Sequence, residues 1–113
     1  MDENVQEDLV PIVIDLNAMK DGTLNEAGPL GMLGSWVKSI LSATFSGANL
    51  PVTVQGNPTE IKSFAGALQG EKRYIEAYNK FGLDNPQTWK SKAQLQNAVA
   101  KFERATGIMW PFK

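Results

Sequence analysis

Two short β-branched runs, "LVPIVIDL" at 9–16 and "LPVTVQG" at 50–56, are separated by residues 17–49. A connection of that length is no hairpin turn, and most of it carries a helical period. The order therefore predicts a parallel pair of strands with a right-handed helical crossover. Pro11 belongs near the start of its strand or on an edge, because it offers no N–H to a ladder. Two strands alone bury little, so helices downstream are expected to cover them.

The crossover helix is expected over 30–46, "LGMLGSWVKSILSATFS". Leu33, Trp36, Val37, Ile40, Leu41, Thr44 and Phe45 recur at i, i+3, i+4 and i+7, while Ser35, Lys38, Ser39, Ser42 and Ser46 take the opposite side. Gly47 is placed to terminate it, and Asp21-Gly22 reads as a turn before it. Beyond the second strand, "NPTE" at 57–60 combines a cap residue, a first-turn proline and an early acid, the signature of a helix start. Ile61, Phe64, Ala65 and Leu68 would face inward. Gly70 is expected to break or bend the path, with a separate helical segment over 71–81 turning Tyr74, Ile75, Tyr78 and Phe81 inward. Gly82 and "LDNP" punctuate, and a last helix begins at Pro86 or Thr88 with the stripe Leu95, Ala98, Val99, Phe102, Ala105. Gly107 ends it. The fold class expected is α/β, a two-strand parallel β-α-β unit covered by C-terminal helices in two layers. One domain spans 9–113, after a disordered acidic arm at 1–8.

The chain has no cysteine and no histidine, which removes thiol nucleophiles, imidazole bases, disulfides and thiolate or imidazole metal sites. No D-x-D-x-D-G calcium loop is present. Gly28, Gly31 and Gly34 in "GPLGMLGSW" match neither a phosphate-binding nor a dinucleotide-binding loop, and read as a loosened helix entry or sites of close packing. Asp15, at the C-terminal end of the first strand, is where an α/β ligand site would lie, with Asp21 and Glu26 near in sequence. No G-x-S-x-G elbow accompanies the serines, and a capping or solvated role is the simpler reading of these acids. No catalytic residue, cofactor or metal is therefore expected, and the chain is not expected to be an enzyme. There is no long apolar run to span a membrane and no basic-then-apolar leader, which places the protein in the cytoplasm by expectation.

The net charge of −1 conceals a polarity: residues 1–26 sum to −6, 27–70 to +1 and 71–113 to +4. The basic part mixes Lys72, Arg73, Lys80, Lys90, Lys92, Lys101 and Arg104 with Tyr74, Tyr78 and Trp89, a combination that can hold a single nucleic-acid strand by cations and stacking. Its candidate residues are Lys72, Arg73, Lys80, Trp89, Lys90 and Lys92. Against it stand the tyrosines, which share a helical stripe with Ile75 and Phe81, and a pI of about 5.4. The nearly uncharged stretch 27–50, with Lys38 alone, is read as a core helix or an oligomer contact, since its polar face lacks the basic residues of an interfacial membrane helix. The chain closes on "TGIMWPFK", whose Ile108, Trp110 and Phe112 either dock on the parent domain or anchor a partner.

The segments "VPIVIDLNAMKDGTLNE", "EKRYIEAYNKFGLDNPQTWKSK" and "FERATGIMWPFK" together resemble small uncharacterised proteins of tailed bacteriophages. The likeness runs through most of the chain and carries over no site residues. It implies a viral accessory or virion protein, located in the host cytoplasm or the virion. The function expected is a non-enzymatic protein–protein interaction or assembly module, with a protein partner or self-association through Trp36, Trp110 and Phe112. Weak single-stranded nucleic-acid binding through 72–92 is the alternative.

Overall fold

The computed structural model describes residues 11–20 and 29–112. The chain divides into two compact units, one running through Gly56 and one spanning Asn57–Pro111. The proposed arm at 1–8 and the turn at Asp21-Gly22 lie outside the described residues.

The first unit holds strand β1 (Ile12–Asp15), helix α1 (Leu16–Lys20), helix α2 (Pro29–Ser46) and strand β2 (Val52–Gln55). The two strands pair in parallel, Ile12 opposite Val52 through Asp15 opposite Gln55. In-register neighbours point to the same side, so Ile12, Ile14, Val52 and Val54 make one apolar face and Val13, Thr53, Asp15 and Gln55 the other. Strand β1 ends where Asp15 turns its carboxylate back: Oδ1 accepts from the N–H groups of Asn17 (3.0 Å) and Ala18 (3.3 Å) and so opens α1. The predicted strand 9–16 is thus shorter at its C-terminal end, and Leu16 is the first helical residue.

Helix α2 matches the predicted period in Leu33, Val37, Ile40 and Leu41, all buried. Ala43 is buried too, whereas Thr44 and Phe45 of the predicted stripe are exposed and Trp36 is half-buried. Gly47 closes the helix at φ +80°, with its N–H bonding Thr44 O and that of Ala48 bonding Ala43 O. This pairing satisfies the last carbonyls and requires the left-handed backbone that glycine adopts without strain.

The second unit is a hairpin of helix α3 (Pro58–Phe81) and helix α4 (Pro86–Thr106) with the tail folded onto it. Asn57 and Glu60 cap α3 reciprocally: Glu60 N–H donates to Asn57 Oδ1 at 2.8 Å and Asn57 N–H to Glu60 Oε1 at 3.1 Å. Asn85 caps α4 by accepting from Gln87 N–H, with Pro86 at the first helical position. The helices are antiparallel. Thr88 meets Ala77, Leu95 meets Gly70 and Phe102 meets Phe64, a register in which one number rises as the other falls. Thr88 locks the connection by donating its hydroxyl to Gly82 O at 2.7 Å, with Ala77 O at 3.3 Å.

Gly70 does not break the path; α3 is one helix of 24 residues. A mid-helix glycine costs only about 1 kcal/mol relative to alanine, and here it admits α4. A Cβ at this position would stand 3.2 Å from Leu95 Cα and 3.1 Å from its Cδ1. The inward stripe also differs from expectation beyond this point. Ala77 is buried, while Tyr78 and Phe81 are exposed and Tyr74 and Ile75 half-buried. Near the turn the helices meet through small groups, Ala77 and Thr88, and large rings at 78 and 81 have no place between them. No described helix is long and apolar enough to cross a membrane.

Candidate interaction surfaces

Ile108 and Trp110 of the C-terminal segment dock on the hairpin of their own unit. Gly107 leaves α4 in the left-handed conformation, φ +75° and ψ 8°, with its N–H bonding Glu103 O. Thr106 then relays the turn: its hydroxyl donates to Phe102 O at 2.7 Å and accepts from Ile108 N–H at 3.0 Å. Trp110 arrives between the helices at 2 % exposure. Its ring stands edge-on to Phe102, centroids 5.3 Å apart, and tilted against Phe64 at 6.0 Å. Its backbone N–H donates to Glu103 Oε2 at 2.8 Å, and its indole Nε1–H to Glu71 Oε2 at 2.7 Å. Of the predicted partner anchors, Trp110 is therefore a core residue and offers no surface, because its ring packs on Phe64 and Phe102 and its indole N–H is bonded inside the unit. Phe112 is 36 % exposed and takes part in a further interaction, while Met109 faces outward.

Glu71 is the residue that sequence reasoning missed. It is 7 % exposed, and burial pushes its carboxyl above the ordinary value of 4.5, opposed in part by the indole bond. An acid in a basic, charged segment reads as solvated. Its spacing from Phe64 and Ala67 on one face of α3 was the available signal.

The third anchor, Trp36, lies half-buried beside an open groove of about 650 Å³. Trp36, Ala43, Ile12 and Leu50 supply its apolar surface; Ser39 and Ser42 supply hydroxyls, and among the described residues Lys38 is the sole charged one lining it. Asp15 has no such setting, being the cap of α1, and no group of three acids able to hold a metal occurs among the described residues.

The predicted nucleic-acid residues are distributed over α3 and α4. Lys72 pairs with Glu76 at 3.5 Å, one turn along the same helix, and Lys80 lies 5.3 Å over the Phe81 ring. Trp89 is 58 % exposed, its indole N–H held by Leu83 O at 2.7 Å. Lys90 and Lys92 are exposed on α4, and Arg73 alone lines a depression, between α3 and α4 with Gln69, Ser91 and Gln94. A larger furrow of about 770 Å³ lies further along the hairpin, with Lys62 on one wall and Lys101 and Arg104 on the other. The chain matches no known protein family, and no curated protein or solved structure is similar to it.

Proposed function

We propose that this chain is a non-enzymatic protein–protein interaction or assembly module whose contact surface is the Trp36 groove. On the resemblance of its sequence it would serve a tailed bacteriophage as an accessory or virion protein. The observation that supports the reading is the half-buried Trp36 indole beside an open groove whose described lining carries one charge, that of Lys38. Aromatic residues partly desolvated in such a setting are the usual anchors of protein contacts, and hydroxyls at the margin orient a partner without the cost of stripping water from charges.

Ser42 is exposed and lines the groove, so Ser42→Arg places a bulky cation there without touching the core. Purified from its native host, the parent should retain a protein in fixed stoichiometry, or sediment as a self-associated species. Ser42→Arg should lose that species at an unchanged thermal midpoint. Retention by Ser42→Arg would reject the groove as the contact. The exposed Trp89, with Lys90 and Lys92 nearby in sequence, supports the alternative of single-strand nucleic-acid binding. Binding of that kind weakens steeply between low and moderate salt and is lost in Trp89→Ala, whereas an aromatic-anchored contact changes little with salt.

A further inference from the structure

The hairpin's charges are unevenly committed. Of the acids in 57–111, Glu60 is buried in the α3 cap, Glu71 holds Trp110, Glu76 pairs with Lys72 and Glu103 holds the tail backbone, leaving Asp84 at the turn. The cations Lys62, Lys101 and Arg104 instead gather along one furrow, from both helices, and among the described residues no acid lines it. Its polar lining is uncharged, Thr59, Ser63, Gln94 and Asn97. Gly66, Ala98 and Ala105 keep the rest of it low. A Cβ on Gly66 would meet nothing within 4 Å, so another chain can approach the α3 backbone there closely.

We infer that this furrow takes an acidic amphipathic helix of a partner protein as a third helix against α3 and α4. Antiparallel helices leave a groove between them of the width a third helix fills, small side chains permit close approach, and cations on both walls select acids on the incoming helix. No aromatic side chain lines the furrow, so a nucleic-acid single strand would find phosphate contacts but no stacking surface. This surface belongs to the second unit and is independent of the Trp36 groove.

The test uses the full chain and a fluorescent helical peptide of about 15 residues, with alanine and leucine on one face and glutamates flanking it. It should bind, and Lys101→Glu with Arg104→Glu should weaken it at least about tenfold. Lys92→Glu, an exposed cation outside the furrow, should leave affinity within about twofold. Gly66→Leu keeps every charge, adds its side chain into open space and should also weaken binding about tenfold by blocking close approach. Thermal midpoints confirm that each variant is folded. Equal loss in Lys92→Glu, or full affinity in Gly66→Leu, would reduce the contact to diffuse charge attraction and overturn the inference. So would tighter binding of an oligothymidylate with the same mutational pattern, or displacement of the peptide by inorganic phosphate at constant ionic strength. Loss of the Ser42→Arg effect has no bearing on these outcomes, since the two surfaces share no residue.

Discussion

At the scale of single residues, Glu71 couples the interior to pH. Its carboxyl is raised by burial, so the folded state holds the proton more tightly than the unfolded chain does. Its stabilising contribution is complete below about 4.5 and is lost as pH rises through the folded value. Glu71→Gln keeps an acceptor for the Trp110 indole and removes the charge. In urea unfolding, its stability relative to the parent should rise from about pH 4 to about pH 7. A difference that does not change with pH would mean that Glu71 is not desolvated as described. Glu71→Leu leaves the indole N–H without its acceptor and should cost about 1–3 kcal/mol at about pH 4, and less at about pH 7 where the parent has lost the contribution of Glu71. The bond to Trp110 was not legible in the sequence, because it joins residues 39 positions apart; the one local signal was the spacing of Glu71 from Phe64 and Ala67.

Among the elements, Gly66 and Gly70 show what local sequence can and cannot say. Both are helix-interior glycines of α3, and propensity treats them alike. Gly66 faces open space, so Gly66→Ala should stabilise by about 0.5–1 kcal/mol. Gly70 lies against Leu95, including its backbone, so Gly70→Ala should destabilise by about 1–3 kcal/mol despite the better propensity. Denaturant midpoints of the two variants should therefore move in opposite directions. The strands, α2, the Asn57 cap, the start of the last helix at Pro86 and the Gly47 and Gly107 terminators were readable because each is set by neighbouring residues. The continuity of α3, the outward turn of Tyr78 and Phe81, and α1 were not. The first two depend on what α4 brings opposite them, and α1 begins directly at the end of β1, where Asp15 is at once the last strand residue and the cap.

At the scale of the whole molecule, the mostly helical architecture with one parallel strand pair followed from element order, while its division into two units left no mark in composition. The second unit depends on residues after Gly107. A chain ending there loses Ile108 and Trp110 together, and removing such a tryptophan alone costs about 3–5 kcal/mol. Against a total stability of about 5–15 kcal/mol, the truncated chain should lose the cooperative unfolding of α3 and α4, seen as a broad helical melt by circular dichroism. A sharp, unshifted melt would show that the tail contributes nothing to the hairpin. Of the candidate surfaces, Trp36 was visible in the sequence as an aromatic on an uncharged helix, whereas the furrow was not, since Lys62 and Arg104 meet only through the antiparallel register. The three tryptophans also occupy three settings: Trp36 half-covered in the first unit, Trp89 open to solvent, and Trp110 enclosed against a carboxyl. Indole emission shifts blue when shielded from water and is quenched by iodide when exposed. The protein thus contains its own optical reporters, and replacing Trp36 by phenylalanine, with Trp110 kept, would leave only the colour of the second unit to follow on melting.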